Sequence, residues 1–162
     1  MARVYISIGS NIEAEKNVRF AIDALKKQYG DVSLSSVYES EAVGFDGDNF
    51  LNLVAALDTE EDVFTVAATL REIEDRHGRD RSGPRFSART VDLDLLLYDD
   101  VIIHQDRLDI PRHEILKNAF VLWPLAEIAP QQLHPENQKT MAELWDAFDK
   151  TSQRLWPIEF TS

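Results

Sequence analysis

Asp92 and Asp94 stand two residues apart in Thr90-Val91-Asp92-Leu93-Asp94-Leu95-Leu96-Leu97-Tyr98, where Val91, Leu93, Leu95 and Leu97 alternate with them. Such alternation predicts an extended strand with one apolar face toward a core and the two carboxylates on the other face. Same-face side chains on a strand lie about 6.6 Å apart, twice the rise per residue, so the pair can close on one hard cation or on two neighbouring ones. Just upstream come Arg71, Arg76, Arg79, Arg81, Arg85 and Arg89, with regular structure broken by Gly78, Ser82, Gly83 and Pro84. Guanidinium forks match phosphate oxygens, while Mg²⁺ takes one or two carboxylates and fills its shell with water and phosphate. Together the two features predict a site for ATP with Mg²⁺. Taken singly, each has a plainer reading, as a solvated strand face or a solvated basic loop with weak surface ion pairs. Their adjacency favours the site, because two same-face acids beside an apolar stripe are awkward unless a cation joins them.

The elements that must position these groups follow from periodicity. Arg3 to Gly9 reads as a strand with Val4, Ile6 and Ile8 on one face, followed by a Gly9-Ser10-Asn11 turn. Val18, Ala21, Ile22 and Leu25 are spaced for a helix from about Ala14 to Tyr29, ending near Gly30. Val32 to Glu39 alternates again, with Val32, Leu34, Ser36 and Tyr38 on one side. A Gly/Asp/Asn-rich connection, Ser40 to Asn49, is too long for a tight hairpin. Phe50 to Asp58 is a further strand, and Val63, Val66, Ala67, Leu70 and Ile73 mark a helix from about Glu60 to Arg76. After the arginine segment and the Asp92 strand, Asp99-Asp100 makes a turn into Val101-Ile102-Ile103. This order predicts an α+β fold, a ferredoxin-like βαββαβ core with an antiparallel sheet. Residues after about Asp106 form a C-terminal elaboration: a Pro-bounded region at Ile110-Pro111, a mixed segment through Phe120, Trp123 and Ile128, and a helix near Lys139 to Phe148. Packing of that last helix on the sheet's other face would make an α/β/α sandwich.

Composition narrows the function. The 162 residues, 44% hydrophobic, suit one domain over 1–162 with a real core. A net charge of −12 argues against nonspecific nucleic-acid or membrane-surface binding and makes a local arginine cluster more conspicuous. The chain has no cysteine, which removes disulfides, thiol nucleophiles and zinc-thiolate sites. No signal-peptide-like run opens it, so a cytoplasmic location is expected; a monomer is expected as well. His77, His104, His113 and His134 lack zinc-ligand spacing, and neither a P-loop nor a Rossmann glycine motif occurs.

Arg85 to Leu96 resembles the signature of the 6-hydroxymethyl-7,8-dihydropterin pyrophosphokinase family, whose members move a pyrophosphoryl group from ATP to a pterin alcohol in folate biosynthesis. The resemblance runs from Tyr5-Ile6-Ser7-Ile8-Gly9-Ser10-Asn11 to Phe120-Val121-Leu122-Trp123-Pro124-Leu125. It implies that Asp92 and Asp94 hold two Mg²⁺ ions with ATP and that Arg79, Arg81 and Arg89 serve the phosphates. It also implies a pterin sandwiched by Phe50 and Phe120, with its edge read by Asn52 and by the backbone of Ser40 and Val43. Arg71, Glu74, Phe86, Arg112 and His113 fall on nucleotide-side positions. Bland readings stand beside these: plain core for Phe50 and Phe120, a helix-surface acid for Glu74, a surface histidine for His113. Asn52 is more telling, because its parity places a polar amide on the Phe50 face of a strand, where it needs partners.

The chain departs from the family pattern at several places. Phe86-Ser87 replaces a Trp followed by Gly or Ala, Arg71 a nucleotide-facing Gln, Arg112 the usual His after Pro, and Asn118 an Arg. These departures motivate a rival reading, a diverged paralogue that binds ATP or pterin with little turnover. A ferredoxin-like RNA-binding module is a second rival, disfavoured by the charge and by the lack of an RNP-like aromatic motif.

Overall fold

The computed structural model describes residues 1–41, 49–78 and 91–160, and the side chains of all of these except 77 and 78. Both expected helices of the first half form. Helix α1 (Ala14–Tyr29) presents Val18, Ala21, Ile22 and Leu25 to the core and stops at Gly30, whose φ of +80° suits a residue without Cβ. Helix α2 (Val63–Gly78) starts where the Asp62 carboxylate accepts the Thr65 N–H at 2.8 Å.

The strands are β1 (Ala2–Ser10), β2 (Val32–Leu34), β3 (Val37–Ser40), β4 (Phe50–Thr59) and β5 (Asp92–Tyr98), with β6 (Ile103–Gln105) and β7 (Leu108–Ile110) forming a separate hairpin. In the main sheet β5-β1-β4-β3 are antiparallel neighbours in that order, and β2 also pairs with β4. That is the split βαβ arrangement, so the ferredoxin-like α+β expectation holds. Helices α1 and α2 cover one face, over Val4, Ile6, Ile8, Leu53 and Leu93. Helices α3 (Glu114–Lys117), α4 (Ala119–Ile128) and α5 (Met141–Ala147) cover the other, over Tyr5, Val54, Ala56 and Leu97. The molecule is thus layered α/β/α, with β8 (Leu155–Ile158) added to the sheet edge beside β3.

Four sequence expectations need correction. The single strand expected over Val32 to Glu39 is two, because one extra residue separates Leu34 opposite Ala55 from Tyr38 opposite Asn52. Ser35 bridges the irregularity: its N–H donates to the Val54 carbonyl at 2.9 Å, and its hydroxyl accepts the Val54 N–H at 2.9 Å. A one-residue slip reverses side-chain parity, so Val37 joins Val32 and Leu34 on the α1/α2 face while Tyr38 turns to α4. A similar shift lies between Tyr5 and Ile6 in the β1–β5 pairing, and it sends Leu97 to the opposite face from Val91, Leu93 and Leu95. The segment through Phe120 and Trp123 is a helix, hidden in the sequence because it is apolar all round and carries Pro124 inside. The last helix starts at Met141 rather than near Lys139, fixed by Thr140 and Glu143 in a reciprocal capping box.

Candidate functional site

Strand parity builds the floor of the site. On β1 the face opposite Val4, Ile6 and Ile8 carries the small residues Ser7 and Gly9 near the strand's C-terminal end. Ser7 is opposite Asp94 and Gly9 opposite Asp92 on one side, and Gly9 is opposite Asn52 on the other. Three adjacent strands thereby bring two carboxylates and a buried carboxamide to one end of the sheet. Asn52, 5% exposed, donates from its amide to the Ser40 hydroxyl at 3.3 Å. The approach to Gly9 is close: a Cβ there would stand 2.6 Å from Asn52 Oδ1, so only glycine leaves the carboxamide in place.

Two cavities open from this end. The first, about 280 Å³, is walled by Ser40, Glu41, Phe50 and Asn52, floored by Ser7 and Gly9, and closed by Phe120 and Val121 at the start of α4. Asp92, Asp94, Leu96, Arg112 and Glu114 complete it. The second, about 780 Å³ and open to solvent, lies between α2, β5 and the β6–β7 hairpin, lined by Arg71, Glu74, Asp75, Asp106, Arg107 and Asp109. Asp94 and Arg112 line both. The boundary between an aromatic-walled pocket and a polar trough is therefore a carboxylate beside a guanidinium.

Local contacts explain how that boundary is held. The Arg112 N–H donates to the Leu96 carbonyl at 3.1 Å, tying the chain after β7 to the outer edge of β5. Its guanidinium then pairs with Glu114 at 2.5 Å and lies 3.7 Å from Asp94. Glu74, 7% exposed, accepts the Leu93 N–H at 2.9 Å and so anchors α2 to β5. It is a buried acid of the trough rather than a surface one. Arg71 donates to the Arg107 carbonyl at 2.7 Å across the trough. Below the aromatic pocket, Glu127 of α4 accepts from the Tyr38 hydroxyl at 2.5 Å and from the Ser36 N–H and hydroxyl, each at 2.9 Å. Burial, reinforced by the Glu127 bond, pushes the Tyr38 hydroxyl well above its ordinary value, so it stays a donor.

Of the residues singled out in the sequence, the structure brings Asp92, Asp94, Ser40, Phe50, Asn52 and Phe120 to the first cavity, and Arg71, Glu74 and Arg112 to the second. His113 lies in neither lining; it is exposed and pairs with Glu114 at 3.0 Å. Val43, Arg79, Arg81, Phe86 and Arg89 lie outside the described residues. Sequence reasoning missed Ser7, Gly9, Glu41 and Glu114. The first two had a signal, since small residues on the non-core parity of a central strand leave room for a ligand; Glu114 had none. Among the described residues no group of three or more His, Cys, Asp or Glu is arranged to hold a metal ion. None of their helices is long and apolar enough to cross a membrane.

Residues 5–130 match the family of 7,8-dihydro-6-hydroxymethylpterin-pyrophosphokinase (HPPK). The 2-amino-4-hydroxy-6-hydroxymethyldihydropteridine pyrophosphokinase of Pseudomonas aeruginosa is 36% identical over 140 residues, covering 84% of this chain and 86% of the relative. The protein of the same name from Bacillus subtilis is 36% identical over 157 residues, covering 94% and 89%. Among solved structures, wild-type HPPK-DHPS of Plasmodium falciparum with SDX-DHP aligns with a TM-score of 0.71 at 13% identity, over 90% of this chain and 43% of that one. The present chain thus spans less than half of that longer neighbour, and the likeness speaks to fold. With the relatives' identities and the geometry above, the class is settled as a transferase of the pyrophosphokinase kind. The chain belongs to the 7,8-dihydro-6-hydroxymethylpterin-pyrophosphokinase family, which serves folate biosynthesis.

Proposed function

We propose that the enzyme transfers the β,γ-pyrophosphoryl group of ATP to the hydroxymethyl oxygen of 6-hydroxymethyl-7,8-dihydropterin in a Mg²⁺-dependent reaction. The single observation that carries the reading is the shared boundary: Asp94 and Arg112 line both the aromatic pocket and the polar trough. The pterin occupies the first cavity between Phe50 and Phe120, its polar edge toward Asn52 and the backbone of Ser40, and the role of Val43, outside the described residues, rests on the family resemblance alone. The nucleotide lies in the second, beside Arg71, Glu74 and Arg112, while the nucleotide and phosphate roles of Arg79, Arg81, Phe86 and Arg89, outside the described residues, rest on the family resemblance alone. Asp92 and Asp94, hard oxygen donors with Asp92 exposed and Asp94 half-exposed, would hold two Mg²⁺ ions, since Mg²⁺ needs only one or two protein carboxylates beside phosphate and water. When bound, these ions supply neutralisation of the triphosphate charge.

The chain's own residues supply positioning and electrostatics. Attack of the pterin oxygen on the β-phosphorus forms one P–O bond, and the bond from that phosphorus to the oxygen bridging the α-phosphate breaks. AMP leaves with the bridging oxygen, and the alcohol's proton passes to solvent. No covalent intermediate on the protein is required. The reading includes a monomer working in the cytoplasm, supported by the sequence reasoning alone. Its test is AMP release from ATP and Mg²⁺ by purified protein, with and without the pterin, and with EDTA as control. Pterin-dependent, EDTA-sensitive AMP is the expected result. Folded protein that binds nucleotide and yields no AMP would favour the binding-only paralogue suggested by Arg112 and Asn118.

A further inference from the structure

The aromatic wall of the first cavity stands at the N-terminus of α4, and that helix end is capped from an unexpected place. Asn118, its N-cap residue, makes no side-chain capping bond. The Gln153 carboxamide does so from a distance of 34 residues, its oxygen accepting the Ala119 N–H at 2.7 Å. Its nitrogen donates to the Lys117 carbonyl at 2.8 Å. A primary amide offers one acceptor and two donors, so it can serve a free N–H and a free carbonyl on both sides of Asn118 at once. Gln153 is itself held. Thr151 donates to the Asp149 carboxylate from its N–H at 3.0 Å and its hydroxyl at 2.6 Å, and Ser152 donates to the Asp149 carbonyl at 2.9 Å. Immediately after it, β8 pairs with β3, with Leu155 opposite Ser40, and the Glu41 N–H donates to the Arg154 carbonyl at 3.4 Å. Both walls of the pocket, Ser40-Glu41 and Phe120-Val121, are therefore fastened to one stretch, 149–158, that lies beyond the family-matched residues 5–130.

We propose that Gln153 is a positioning residue for the pterin subsite: it fixes the first turn of α4, and through it the Phe120 ring, from outside the family-matched segment. The inference rests on the pterin reading of the first cavity. The capping bonds act on the turn that holds Phe120, whereas Arg71 and Glu74 of the trough sit on α2. Loss of the cap should accordingly separate the two ligands.

The test compares wild type, Gln153→Ala and Gln153→Glu. It measures binding of ATP with Mg²⁺, binding of 6-hydroxymethyl-7,8-dihydropterin in the presence of Mg²⁺ and α,β-methylene-ATP, thermal unfolding, and hydrogen exchange at the Ala119 amide. For Gln153→Ala the pterin Kd should rise roughly tenfold, the scale of one lost hydrogen bond, while the ATP Kd stays within about twofold. Ala119 should exchange faster. Gln153→Glu keeps the acceptor toward Ala119 and should fall between wild type and Gln153→Ala. Equal losses of ATP and pterin affinity that track a lowered Tm would make Gln153 merely structural and overturn the proposal, as would unchanged pterin binding. Wild type that fails to bind pterin would defeat the underlying reading instead, and unchanged Ala119 exchange would then still defeat the capping assignment.

Discussion

At the scale of single residues, Asp94 and Asn52 carry different parts of the site and should fail differently. Asp94→Ala should cut turnover roughly a thousandfold, the size of losing one preorganised electrostatic group, and weaken Mg²⁺-dependent ATP binding; near-normal turnover in a steady-state assay would remove the metal assignment. Asn52→Ala should raise the pterin KM about tenfold or more with little effect on ATP, since it removes the buried carboxamide that bonds Ser40. Gly9→Ala should copy that phenotype, because its Cβ would meet Asn52 Oδ1 at 2.6 Å and push the amide off Ser40. The Gly9→Ala/Asn52→Ala double variant should be no worse for pterin than Asn52→Ala alone, a non-additivity that kinetics of the four proteins would reveal. Three of these residues were legible in the chain itself: alternation exposed Asp92 and Asp94, and parity marked Asn52, whereas Gly9 was read only as part of a turn. Glu114 was not, because an acid beside Arg112 in a short Pro-bounded segment has no period to betray what it faces, and its 2.5 Å pairing exists only once β7 is folded back on β5.

At the scale of elements, the buried Glu74–Leu93 bond and the Thr140 capping box make separable contributions. Glu74→Ala leaves a buried N–H on β5 without its carboxylate acceptor and should cost about 1–3 kcal/mol in denaturant unfolding. Thr140→Ala should cost about 1 kcal/mol through α5 while leaving kcat and both KM values unchanged, since α5 packs on the core below the cavities rather than lining them. A change in pterin KM on Thr140→Ala would mean that α5 reaches the site through α4. Element existence was readable wherever one face was apolar, as in α1, α2 and β4. It failed at α4, where Ala119, Val121, Leu122, Pro124, Leu125 and Ala126 are all buried and no face contrasts with another. Register failed at Ser35 and Leu96, because an inserted residue is an event between two strands, invisible to the period of either one.

At the scale of the whole molecule, two histidines set opposed pH dependences in the C-terminal half. Bonds to Asp109, then to Glu136, raise His104 above its ordinary value. Its stabilisation is therefore full below about pH 6.5, the unfolded value, and is lost as pH rises through the folded one. His134 runs the other way: burial holds it low while its Nδ1 accepts the Glu136 and Asn137 N–H groups, so its contribution fades as pH falls from about 6.5 toward the folded value. His104→Gln should consequently lower Tm more at pH 6 than at pH 9; an equal deficit at both would show that the imidazolium is not what links the β6–β7 hairpin to the 134–138 turn. The α/β/α layering was legible from element order, but the edge strand β8 was not, since a four-residue stretch containing Pro157 is readable as a strand only from the partner it borders. The first strand made is an interior one, flanked by β4 and β5. During synthesis it must wait for residues 50–59 to fill one side and 92–98 to fill the other, so a ribosome-bound chain carries an open hydrogen-bonding edge through more than half of its translation. The carboxylates arrive on the strand that closes that edge, which makes the pairing of β1's last open side and the arrival of Asp92 and Asp94 one event in the life of the nascent chain.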